Sequence, residues 1–97
     1  MANVSLTAEA EAEYEAAFAW YLARSPKAAD GFETAFERAL ESIAANPELH
    51  PLCDVRHRFC VLRHYPYSII FRVDGEQARV LAVAHSRRLP GYWSGRD

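Results

Sequence analysis

Tyr67-Ser68-Ile69-Ile70-Phe71-Arg72-Val73-Asp74-Gly75, followed by Val80-Leu81-Ala82-Val83-Ala84-His85-Ser86-Arg87-Arg88-Leu89-Pro90-Gly91-Tyr92-Trp93, is the part of the chain that decides the fold. Two apolar runs separated by Asp-Gly read as a β-hairpin, because both residues of a tight primed turn tolerate positive φ. The run from Val80 to Ala84 carries no charge on either face. Such a strand is expected to be covered by helices on one side and flanked by strands on both edges. Polarity changes abruptly at His85. The tail then carries arginines, a histidine, a tyrosine and a tryptophan, the residue types that grip phosphate, stack on bases or anchor a protein partner. A rigid strand is therefore expected to deliver a basic, aromatic tail to the surface.

Working outward, Arg58-Phe59-Cys60-Val61-Leu62-Arg63 reads as a preceding strand, with a loop over residues 50–54 before it and His64-Tyr65-Pro66 as the connection after it. Upstream, Thr7 and Ser25 are candidate N-caps, Ser25 with Pro26 at the first helical position. Tyr14, Phe18, Tyr21 and Leu22 form one helical stripe; Phe32, Phe36, Ala39, Leu40 and Ile43 form another, ending at Asn46-Pro47. Glu9, Glu11 and Glu13 lie in the early turns of the first helix, where the helix dipole favours negative charge, and read as part of a solvated acidic face. Val4-Ser5-Leu6 is extended but too short to stand without a sheet edge to join. The expected class is α+β: an N-terminal antiparallel helix hairpin packed on one face of a small, mainly antiparallel sheet.

The 97 residues are expected to form one domain, 1–97, with the 51% hydrophobic and 25% charged composition of an ordinary soluble globular protein. No apolar run approaches a membrane span and no signal peptide is evident, so a cytoplasmic location without membrane association is expected. Charge is divided. Residues 1–50 hold three Lys/Arg against nine Asp/Glu, and residues 51–97 hold eight against four. The second half thus offers a local positive field. His50, Cys53, His57, Cys60 and His64 suggest a zinc set, but His57 and Cys60 lie an odd number apart on a strand and face opposite sides. Neither a metal nor a cofactor is expected, and the two thiols are expected to be free.

The order helix, helix, Asn46-Pro47-Glu48-Leu49, the Tyr65-Pro66-Tyr67 strand, and His85-Ser86-Arg87-Arg88 ending in Pro90-Gly91-Tyr92-Trp93 resembles the RelE/ParE superfamily of type II toxin-antitoxin toxins over essentially the whole chain. The resemblance implies a microbial-ribonuclease-like fold and a toxin held inactive by a cognate antitoxin. Two activities follow from it as alternatives. The ribosome-dependent messenger ribonuclease branch needs converging cations. Its basic positions look like Phe59, Val61 and Ser68 here, with Arg87 retained, so a nuclease would draw on Arg63, His85 and Arg87, with Arg72 a further substitute. The ParE-like branch blocks DNA gyrase and is served by a ParD-like antitoxin, as in plasmid-stabilising modules. It fits a charge-poor sheet ending in Arg87, Arg88, Tyr92 and Trp93 as target-binding residues. Exposed members among Tyr14, Phe18, Tyr21, Leu22 and Phe32 are the candidates for antitoxin binding. Sequence-specific DNA binding by the toxin alone is not expected.

Overall fold

The computed structural model describes residues 1–96. Strand β1 (Asn3–Leu6) leads into helix α1 (Ala8–Arg24) and helix α2 (Pro26–Ala45). A 3-10 turn (Pro47–Leu49) precedes strands β2 (His57–Val61), β3 (Tyr67–Asp74) and β4 (Gln77–His85). The four strands form one sheet in the order β1-β4-β3-β2, antiparallel except for the parallel pair β1 and β4. This is the expected α+β architecture. The short N-terminal segment finds its sheet edge on β4, with Asn3 opposite Gln77 and Leu6 opposite Val80.

The caps act as the sequence implies. The Thr7 hydroxyl accepts from the Ala10 amide at 3.1 Å, and the Ser25 hydroxyl accepts from the Ala28 amide at 3.1 Å. Ser25 also ends α1, its own N–H bonding the Tyr21 carbonyl at 2.7 Å, so one residue closes the first helix and opens the second. At the other end of α2, the Asn46 amide bonds the Ser42 carbonyl before Pro47 breaks the ladder.

The helices cover one face of the sheet. Phe32, Phe36, Ala39 and Ile43 of α2 are buried with Ile69, Phe71, Val80 and Val83. On α1 the wholly buried positions are Ala10 and Ala17, not the aromatic stripe. Small residues let α1 lie close to the sheet, and the aromatics then reach sideways between the helices: the Tyr14 ring lies 4.4 Å from Phe36, and Tyr21 lies 5.2 Å from Phe32. Gly31 has a similar steric reason. A Cβ there would collide with the Tyr65 hydroxyl, which donates to the Ala28 carbonyl at 2.8 Å.

Two expectations need correction. The strand expected over Arg58 to Arg63 runs instead from His57 to Val61, because His64 adopts a left-handed backbone (φ 69°) and turns the chain early. More consequentially, the tail after β4 is exposed over residues 86–90, as expected, but does not stay in solvent beyond them. It folds back over the second face of the sheet, where Trp93, 7% exposed, is buried with Ile70 and Ala82. A sheet with helices on only one side leaves apolar side chains on the other, and the tryptophan covers them.

Candidate functional site

Three elements converge where β4 ends: the middle of α1, the C-terminal half of β4, and the tail. β1 pairs only with residues 77–80 of β4, so the same edge beyond Val80 has no strand neighbour. Side chains occupy the first part of that edge. The Val83 amide donates to Glu13 Oε1 at 3.0 Å, and Arg96 donates to the Leu81 carbonyl at 3.2 Å. Arg96 and Glu13 are themselves joined in a two-pronged pair at 2.9 and 3.1 Å, and the Tyr92 hydroxyl donates to Glu13 Oε2 at 2.8 Å. One carboxylate from the first half of the chain therefore binds a strand edge, a tyrosine and an arginine from the second.

The electrostatics follow from that geometry. Burial opposes the charged form of Glu13, but the Arg96 hydrogen bond, the Val83 amide and the Tyr92 hydroxyl outweigh it and hold the carboxyl below its usual 4.5. Tyr92 is pushed up to about 12, first by burial and then by its bond to the Glu13 carboxylate. The guanidinium carbons of Arg88 and Arg96 lie 3.9 and 5.0 Å from the Tyr92 ring centroid.

Against this node lies a cleft of about 420 Å³, walled by Ala16, Ala17, Trp20 and Tyr21 of α1, by Tyr67 and His85 of the sheet, and by Arg88 and Tyr92 of the tail. Trp20 is 52% exposed at its rim with the Arg24 guanidinium stacked 3.8 Å from its ring centroid. His85 is fixed by the fold: its ring stacks edge-on to Tyr67 at 5.0 Å, and its Nδ1 accepts the Arg87 amide at 3.0 Å. In the neutral ring the proton is therefore on Nε2.

The sequence-derived sets divide in space. Arg88, Tyr92, His85 and Tyr21 share the cleft. Arg87 is exposed on the turn just after β4. Trp93 lies beneath the tail with its ring 4.8 Å from that of His57, and offers almost no surface to a target. Phe32 is wholly buried in the helix core, Tyr14 and Phe18 are half-buried between the helices, and Leu22 is 49% exposed. Arg63 opens into a different groove, against α2, with Arg38 and His64. Arg72 is paired with Asp74 at 2.9 Å beside the β3–β4 turn, at the far end of β3 from Tyr67.

The cysteine-histidine stretch serves the fold. His57 faces Trp93 with its Nδ1 2.8 Å from Asp54, while Cys60 packs on the helix side, as the odd spacing requires. Among the described residues no three His, Cys, Asp or Glu side chains converge. Burial raises both thiols, with the Asp54 charge a second cause at Cys53, which disfavours thiolate chemistry.

Three residues of the site escape the sequence reading. Glu13 lies three residues after Ala10 and four before Ala17, so it shares their buried line, and that spacing was a usable signal. Trp20, an aromatic outside the apolar stripe, was another. Nothing local marks Arg96.

A helix hairpin on a four-stranded, mainly antiparallel sheet is the architecture that the resemblance to RelE/ParE-type toxins implied. The chain belongs to the ParE family: the model for the ParE toxin of the type II toxin-antitoxin system parDE matches residues 4–90. Its backbone is similar to a solved structure described as the chromosomal ParDE TA system from P. aeruginosa, with a TM-score of 0.75 and 20% identity over 88% of this chain and 96% of that one. No curated protein sequence matches it. No helix among the described residues is long and apolar enough to cross a membrane.

Proposed function

We propose that this protein is the cytoplasmic toxin of its module, that it poisons DNA gyrase by binding it, and that a ParD-like antitoxin neutralises it. The observation that carries this reading is the dispersal of the cations. Arg63 opens against α2 and Arg72 is paired with Asp74 at the other end of the sheet, so of the four candidate nuclease residues His85 and Arg87 alone stand together after β4, with Arg88 beside them. The cleft between the tail and the sheet's second face has Asp54 in its lining, and Arg88 there lies against Tyr92. Cleavage of RNA requires several cations converging on a phosphate. An apolar cleft with a tryptophan and an arginine at its rim instead matches the composition of protein-protein hot spots.

Arg87 and Arg88 are the target-binding residues in this reading, with Tyr92 shaping the surface they present and Trp93 holding the tail in place. The antitoxin side rests on Tyr21 and Leu22, joined by Trp20; Tyr14, Phe18 and Phe32 support these from within. No metal or cofactor takes part. Expressed alone, the protein is expected to arrest growth and induce the DNA-damage response, and co-expression of the antitoxin encoded in the same module is expected to relieve both. Arg87→Ala with Arg88→Ala should abolish arrest while leaving antitoxin binding within about threefold. Arrest that persists in the double variant, without DNA damage, would contradict the proposal.

The alternative is a ribosome-dependent messenger endoribonuclease using His85 and Arg87. It is favoured by one observation, the ordering of the His85 ring by the Arg87 amide, which leaves an imidazole poised at the surface. Toeprinting of translating ribosomes tests it: new cuts that vanish with Arg87→Ala would replace the first reading.

A further inference from the structure

The edge of β4 is closed by side chains only in part. Register with β3 places the backbone N–H and C=O groups of Val83 and His85 on the side away from β3: the Val83 amide is held by Glu13, and the His85 carbonyl accepts the Arg88 amide at 3.0 Å. That leaves the Val83 carbonyl and the His85 amide. Among the described residues neither has a hydrogen-bond partner, and both residues line the cleft beside α1. A carbonyl at one residue and an amide two residues on is the pair that a single residue of a parallel neighbour satisfies with its own N–H and C=O. β1 runs parallel to β4 along this same edge and stops at Leu6.

We infer that the antitoxin, the partner named in the function proposed above, docks an extended segment here as an added strand, one of its residues opposite Ala84. The segment's chemistry is set by the walls. Ala16, Ala17 and Tyr21 line the α1 side and accept an apolar side chain, while Arg24, stacked on Trp20 at the rim, accepts a carboxylate. The occupant is thus an extended stretch with an apolar residue and a neighbouring Asp or Glu. Protein edges left open are usually blunted. Here Glu13 and Arg96 blunt the part nearer β1 and stop any added strand from extending further toward it, which fixes its register.

The test compares two substitutions at one position and reads affinity for the antitoxin by calorimetry. His85→Pro removes the outward amide, which has no ladder partner to lose; His85→Ala removes the imidazole and keeps the amide. His85→Pro is expected to bind at least about tenfold more weakly than His85→Ala, the worth of one lost backbone bond at an interface. Hydrogen exchange on the unsubstituted protein gives a second reading that does not depend on the proline variant folding. The His85 amide should exchange rapidly when the protein is free and become protected in the complex. A complex in which the His85 amide keeps its free exchange rate overturns the strand addition alone, as do equal affinities of two folded variants. No complex with the unsubstituted protein overturns the partner and this inference together.

Discussion

The two faces of the sheet are covered by different means. The helix face is closed by a continuous apolar cluster running from Ala10 and Ala17 through Phe32, Phe36 and Ile43 to Phe71 and Val83. The other face is closed by an irregular tail whose buried cluster is Ile70, Ala82 and Trp93 and whose end is held by Glu13. On the first face stability is spread over many apolar contacts, so its cost of opening is that of the whole fold. On the second it is concentrated in one carboxylate and one indole. The face that presents the candidate target-binding arginines is therefore the one whose integrity depends on few residues.

That contrast can be broken from either side, beginning with the largest effect. Phe32→Ala opens a cavity in the helix face and is expected to lower global stability by about 3–5 kcal/mol, read by denaturant unfolding. A loss under about 1 kcal/mol would mean that the helix face is not the main core. Glu13→Gln leaves Arg96 without its charge partner and is expected to cost about 1–3 kcal/mol. Its diagnostic is spatial: hydrogen exchange should speed up at Val83 and across residues 86–96, while Phe71 and the α2 amides keep their protection.

Acid sharpens the same comparison. The folded protein holds the Glu13 carboxyl below 4.5, so its stabilisation is complete above the unfolded value and is lost as pH falls through the lower folded value. Below about pH 4.5 the unsubstituted protein should lose stability more steeply than Glu13→Gln, with the difference between them shrinking toward zero. Parallel curves would show that Glu13 is not coupled to folding. The smallest effect concerns Gly31. Glycine to alanine inside a helix normally stabilises by up to about 1 kcal/mol, yet Gly31→Ala is expected to destabilise because the added methyl meets the Tyr65 hydroxyl. Adding Tyr65→Phe should recover part of the loss, as a double-mutant cycle reads.

Legibility in the sequence followed the same division. Helices, caps, the Asp74-Gly75 turn and the central strand are written in local periodicity, and each formed close to where the pattern placed it. The stripe on α2 is its buried face. That on α1 is not, because Ala10 and Ala17 take the closest approach and leave Leu22 outside; apolarity alone does not distinguish a close-packed alanine from a large residue that fills a flank. Residues 86–90 of the tail are exposed as expected, but Trp93 is not, because a basic, turn-rich composition says nothing about the apolar sheet face that Trp93 covers. Arg96 and Glu13 are far apart in sequence, and their meeting depends on tertiary placement that no local pattern encodes. The separation of Arg63 and Arg72 from His85 and Arg87 likewise became visible only once the strands were in register.

Purified protein titrated in parallel against gyrase supercoiling and against a translating ribosome system addresses the central claim most directly. Inhibition of supercoiling that is relieved by the antitoxin, with messenger RNA left intact, is the predicted result. Cleaved messenger beside fully active gyrase at excess toxin would contradict it.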